Sequence, residues 1–155
     1  MQAAFQYLCD QGFKADGEVN LLNANIGGQV NFNKATLANS NGRALNGDSL
    51  SVGQNMLCGN GFKAEGEINL RGAQVGGQLG FVQATLVNPG KLTLNLQQLQ
   101  TPTLFLRDLT ERPGDVRFER AKVGAIVDEP DSWPTRWALF SVGLGVFCGL
   151  SAGSV

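Results

Sequence analysis

The chain contains no histidine, and that absence removes serine–histidine–acid triads, histidine general bases and the usual histidine-containing zinc sites. Charge is scarce: 16% of the 155 residues are Asp, Glu, Lys or Arg, against about a quarter in ordinary globular chains. The formal net charge is −1 and no basic stripe runs along the sequence, so nucleic-acid binding through phosphate contacts is excluded. Near the start there is no basic segment and only a short apolar stretch, 5–9, which argues against a secretory leader. Hydrophobic residues make up 43% of the chain, too many for bulk disorder. The length fits one domain or part of one.

What the chain has instead is a repeat. Gly12–Leu37, GFKADGEVNLLNANIGGQVNFNKATL, returns as Gly61–Leu86, GFKAEGEINLRGAQVGGQLGFVQATL, identical at 16 of 26 positions without a gap, 49 residues on. Self-similarity at a fixed period marks a repeat architecture, in which each unit buries its apolar face on its neighbours. The period divides again at 24 or 25 residues into four apolar columns. Leu21, Leu45, Leu70, Leu94 and Phe118 form one, and Ile26, Leu50, Val75, Leu99 and Val123 a second. Leu8, Phe32, Met56, Phe81 and Phe105 form a third, and Phe13, Leu37, Phe62, Leu86 and Leu109 a fourth. The spacing is too long for helical or strand periodicity within one element. The segments between columns are too short for packed helices. Such a chain winds into stacked coils with inward corners, its short strands in parallel register.

Small residues agree with this. Ala24, Ala35, Ala73, Ala84 and Ala121 each lie two positions before a column member, where only a small side chain shares the interior. Gly17, Gly27-Gly28, Gly53, Gly66, Gly76-Gly77 and Gly114 stand beside the strands, where tight corners call for positive φ or close backbone approach. The longer turns at 38–43 and 87–91, ANSNGR and VNPGK, have the Asn, Gly and Pro content of turns, and both fall at one corner of the rod.

The A-x-[ILV] steps at near-five spacing resemble pentapeptide-repeat proteins, which are right-handed quadrilateral β-helices. The longer signature, FKA[DE]GE[VI]NL with A-x-[IV]-G-G-Q and a later D-x-W-P, resembles a family of actinobacterial proteins labelled membrane-associated oxidoreductases, over residues 8–137. The repeat reads as an all-β parallel β-helix of 24- to 25-residue coils with four inward columns, longer than the 20-residue coils of true pentapeptide repeats, and the resemblance implies that it is right-handed. It carries over no catalytic or cofactor-binding position. The domain reading is therefore a β-solenoid over 1–127, with the double-coil repeat at 12–60 and 61–109 and a terminal coil, followed by a capping or tail segment over 128–155.

Four patterns invite chemistry, and each has a structural reading. Cys9 and Cys58 are repeat equivalents two coils apart, roughly 9–10 Å along the stack, beyond disulfide reach. They read as small apolar residues, in keeping with an intracellular, cytoplasmic setting. Glu18, Glu67 and Asp115 share one repeat position, about 10 Å apart, and read as a solvated acidic row; Lys14 and Lys63 lie near Asp16 and Glu65 for neutralisation. Gly27-Gly28 and Gly76-Gly77 lack the G-x-G-x-x-G spacing and following helix of a dinucleotide fingerprint. Asn20, Asn46, Asn69 and Asn95 recur between column members and read as stacked side-chain amides. No catalytic, cofactor-binding or metal residue is assigned, and no cofactor is expected.

Toward the end, Asp128–Pro134 breaks the repeat. Ser132 as N-cap and Pro134 in the first turn predict a short C-terminal helix. Residues 137–155 carry no charge, and three readings stay open for them: a cap over the last coil, a membrane anchor just long enough to span, or a tail foreign to the fold. At the other end the sequence enters mid-coil at Leu8, so a partner or a preceding piece is expected to cover it. The function predicted is a non-enzymatic scaffold or interaction module that engages a protein partner or self-associates through its open end. The alternative, implied by the resemblance, is an oxidoreductase-labelled enzyme or accessory protein at a membrane.

Overall fold

The computed structural model describes residues 12–138. Within them, apolar–polar alternation interrupted by Asn, Gly, Ser and Asp produces strands of two to eleven residues. All recorded pairings are parallel. The chain is a β-solenoid of about five turns, as the repeat predicts. One sheet runs Lys14–Asp16, Thr36–Asn46, Lys63–Asn69, Leu92–Asn95, Asp115–Arg117, Arg136–Ala138, with Val19–Asn20 and Thr85–Val87 attached to it. The other collects Asn25–Ile26, Ser51–Val52, Gln74–Val75 and Gln100–Arg107, then Gln78–Val82, Met56–Leu57 and Val30–Asn31; Lys122–Asp128 pairs with its longest strand.

Two corners join the sheets, and both use a tight four-residue turn. At one, Ala24, Leu50, Ala73, Leu99 and Ala121 donate their N–H to Leu21, Gly47, Leu70, Leu96 and Phe118 at 3.0–3.2 Å. The third residue of each turn is left-handed: Asn23, Ser49, Gly72, Gln98 and Arg120. At the other corner Lys34, Gln83 and Asp108 are also left-handed, and in the turn Gly59–Phe62 both central residues, Asn60 and Gly61, have positive φ. The sequence led us to expect glycine at such corners, but polar residues hold nearly all of them. An unfavourable φ on a non-glycine residue persists where the surroundings over-determine it; here the five turns of the first corner, and Phe32–Ala35 and Gly59–Phe62 at the second, are each closed by a turn bond.

Of the glycines singled out in the sequence, Gly17 and Gly66 have positive φ, and others permit close backbone approach. A Cβ on Gly53 would lie 2.2 Å from the carbonyl oxygen of Gly27, and one on Gly76 2.4 Å from that of Gly53. Successive coils approach so closely along this row that a side chain has no room.

The core is continuous from Ile26 to Ile126, and its packing explains why the sequence repeats every two coils. Reading each corner turn as a pair of inward residues, one corner runs Leu21/Ala24, Gly47/Leu50, Leu70/Ala73, Leu96/Leu99, Phe118/Ala121. The other runs Phe32/Ala35, Cys58/Phe62, Phe81/Ala84, Leu106/Leu109. Large and small exchange places from one coil to the next, except where leucine pairs fill the fourth coil. A Cβ added to Gly47 would lie 2.8 Å from Leu70 Cδ2. Thus the small member of one coil makes room for the large member of the next, as interdigitation at crystal-like density requires.

This arrangement corrects the column assignment. Coils do not advance by a uniform 24 or 25 residues: Met56 stands opposite Val30 and Leu79, 26 residues after the first and 23 before the second. Met56 therefore belongs to the Val30–Leu79–Leu104 row rather than to that of Phe32 and Phe81. Leu50 and Leu99 stack on Ala24, Ala73 and Ala121, whereas Ile26 continues into Val52, Val75 and Thr101. Phe105 is half-buried, flanked by the buried Leu104 and Leu106. Phe13 is 39% exposed. Leu8 lies outside the described residues.

The terminal segment also differs from expectation in the part described. Ser132 does not open a helix; it ends a single 3-10 turn, Pro130–Ser132. Its hydroxyl accepts the Leu109 N–H at 3.0 Å and donates to Glu129 Oε1 at 2.9 Å. With that capping group engaged by the previous coil, Arg136–Ala138 continues as a strand beside Asp115–Arg117. No helix among the described residues is long and apolar enough to cross a membrane. Residues 139–155, and with them most of the uncharged tail, lie outside the described residues.

Candidate functional site

A groove of about 480 Å³ runs along the outside of the second sheet. The register sets its wall: Ser51, Gln74, Gln100 and Lys122 are successive partners on four adjacent strands, in the row that Asn25 begins. Alternation along a strand turns their neighbours Ile26, Val52, Val75, Thr101 and Val123 into the core. Its floor includes Gly76 from the glycine row, and Pro102, which stands where the repeat would place the next glycine. The groove thus presents two side-chain amides, Gln74 and Gln100, each both donor and acceptor, with the Ser51 hydroxyl and a single cation at Lys122. The visible sign of it in the sequence was the glycine pair after each Asn25- or Gln74-type position; what was missing was the register.

The sequence candidates take up other places. Glu18, Glu67 and Asp115 fall on one side of the rod, but they do not form an uninterrupted acidic row. Arg43 is the register partner of Glu67, with Nε 3.9 Å from Oε1, and Arg136 is hydrogen-bonded to Asp115. Glu67 and Asp115 thus each have an arginine beside them on an adjacent strand. Glu67 is also less solvated than expected: partial burial raises its pKa, Arg43 and Arg117 pull it back down, and Glu18 adds a smaller upward push. The expected Lys63–Glu65 pair is present at 2.6 Å.

The long turns do share one corner. Asn39 Nδ2 donates to the Arg43 carbonyl at 2.8 Å, and Asn88 Nδ2 donates to the Leu92 carbonyl at 2.7 Å, so both loops close with the same amide clamp. Gly66 lies beneath the first, with φ +121° and an added Cβ only 2.4 Å from the Asn39 carbonyl oxygen.

Asn20, Asn46, Asn69 and Asn95 stack in register. Asn69 Nδ2 donates to Asn46 Oδ1 at 3.1 Å, and each of the four accepts the N–H two residues on. The ladder is therefore structural, as read from the sequence. Cys58 is fully buried between Phe32 and Phe81, and desolvation pushes its thiol up, away from reactivity. Cys9 lies outside the described residues. Gly76 and Gly77 sit against Gly53 and Asn55, with a strand following at Gln78–Val82, the opposite of a dinucleotide turn leading into a helix.

At the last coil, Asp108 and Ser132 both donate to Glu129, which lowers the Glu129 pKa through these hydrogen bonds, and Trp133 Nε1 donates to Asp128 Oδ2 at 2.5 Å. This cluster fastens 128–135 to the rod. No family model, curated protein or solved structure matches the chain.

Proposed function

We propose that the protein is a rigid scaffold whose first described coil docks a second copy of the chain. One observation supports this: the apolar rows lose their cover at that coil. Leu37, Leu45, Phe62 and Leu70 are fully buried, whereas Phe13 is 39% exposed, and Ala15, Val19, Leu21 and Ala24 are only partly buried against the core. Among the described residues, the strands Lys14–Asp16, Val19–Asn20, Asn25–Ile26 and Val30–Asn31 pair only with the following coil. An edge with free backbone donors and acceptors is a template for another strand, and a two-fold dimer needs only one self-complementary patch. The groove leaves a second, lateral face for an extended segment of a partner protein.

Sedimentation tests the proposal. The intact chain is expected to associate at micromolar concentration, and Phe13→Glu to shift it toward monomer by charging the exposed patch. A clean monomer at high micromolar concentration would sink the idea. An absorbance scan of the same sample addresses the enzymatic alternative suggested by the family resemblance. The expected spectrum is that of Trp and Tyr alone; a stoichiometric flavin, haem or iron–sulfur band would replace the scaffold reading with a redox one.

A further inference from the structure

Three Asn-Gly steps occur in the chain: Asn41-Gly42, Asn46-Gly47 and Asn60-Gly61. We propose that Asn41-Gly42 alone is a site of spontaneous covalent modification, and that the solenoid ladder protects the other two. At such a step the glycine amide nitrogen, once deprotonated, attacks the asparagine Cγ. A C–N bond forms, the Cγ–Nδ2 bond breaks, and ammonia leaves with the proton. Water then opens the cyclic imide at either carbonyl, giving aspartate or isoaspartate. Water is the only co-reactant, and no electrons change hands. Glycine favours the reaction because no Cβ hinders the approach of its nitrogen.

The reaction needs a free glycine N–H and a chain able to fold Cγ back onto it. Gly47 N–H is bonded to the Asn69 carbonyl at 2.7 Å. Asn46 is itself buried, its Oδ1 accepting from Asp48 N–H and Asn69 Nδ2. Gly61 N–H is bonded to the Gln83 carbonyl at 2.9 Å, and Asn60 N–H to that of Val82 at 2.9 Å. Both steps must break the ladder before they can react. Asn41 and Gly42 are exposed, and they lie where the register jumps from Ala38↔Glu65 to Arg43↔Glu67. The four residues 39–42 bulge opposite Gly66 alone, and bulged residues are left out of the ladder. A Cβ on Gly42 would meet only the side chain of Asn39. The product places a carboxylate two residues from Arg43, the countercharge of Glu67, so this corner gains a negative charge as the protein ages.

The experiment is peptide mapping of the folded chain after incubation at mildly alkaline pH, with isoaspartyl methyltransferase to mark isoaspartate and a parallel sample in concentrated urea. Asn41 is expected to convert roughly tenfold or more faster than Asn46 and Asn60 in the folded protein, since the latter react only through local opening. In urea the three rates should converge. The acidic band that accumulates on isoelectric focusing should be lost in Asn41→Gln. Comparable conversion of Asn46 or Asn60 in the folded protein would overturn the proposal, as would an intact Asn41 under conditions where the urea sample converts all three.

Discussion

Phe81→Asp is expected to abolish the fold: no cooperative melting transition and no β-sheet circular dichroism at room temperature. Phe81 is fully buried, and its strand, Gln78–Val82, pairs with Met56–Leu57 on one side and with Gln100–Arg107 on the other. Losing a buried phenylalanine costs about 3–5 kcal/mol, and an unpaired carboxylate in its place adds several more. Together they approach or exceed the whole stability of a domain this size, about 5–15 kcal/mol. Position matters as much as magnitude. Phe81 is in the third of about five coils, and a solenoid broken in the middle leaves two stacks, each short of the three or so units that such folds need. Gln29→Ala is the control. Its side chain points outward, and its one recorded partner is Asn55 Nδ2 at 3.5 Å, so its effect should stay within about 0.5 kcal/mol. Retention of sheet signal and wild-type melting temperature by Phe81→Asp would show that the Phe32–Cys58–Phe81–Leu106 row is not core.

The contrast between these two substitutions also shows what could be read from sequence. Phe32, Phe62, Phe81 and Phe118 are among the largest fully buried side chains, and periodicity identified all four as core members. It could not say which residue lies on which, because stacking depends on coil length, and neighbouring coils differ in length. The bulge at 39–42 lengthens one coil without changing the 49-residue sum, so an averaged period put Met56 in the wrong row; Phe105 missed by one residue, since Phe81 pairs with Leu106. The corners were misread for a related reason. Left-handed φ at Asn23, Lys34, Gln83 and Arg120 is imposed by the coils above and below, and no local preference of Lys, Gln or Arg announces it. Ser132 and Pro134 have the local chemistry of a helix start, but an N–H from Leu109, 23 residues away, captures the hydroxyl. The groove is the least legible feature, since Ser51, Gln74, Gln100 and Lys122 become neighbours only through register. The acidic row was legible in position and wrong in character, because Arg43, the countercharge of Glu67, comes from an adjacent strand.

The alternation of large and small residues leads to a prediction that sets packing between coils against volume within one. Phe62 lies between Ala35 and Ala84, and Ala64 lies between Leu37 and Leu86; all six are buried. Phe62→Ala should cost about 3–5 kcal/mol, since three alanines in a row leave a void that a parallel ladder cannot close by collapsing. The double variant Phe62→Ala with Ala64→Leu returns much of the lost volume to the same coil, only two residues along. If each coil needed only its own share of apolar volume, the new leucine would lean into the void and recover stability. In the observed register, however, that leucine is flanked by Leu37 and Leu86 on the adjacent coils, and overpacking a filled site costs about 1–3 kcal/mol. The double variant should therefore be less stable than Phe62→Ala alone, with the urea midpoint falling further and the slope unchanged. Recovery to near the wild-type midpoint would mean that coils pack independently. The two-coil period would then have no basis in the core, and its origin would have to lie in the long turns at 39–42 and 88–91, which recur on every second coil.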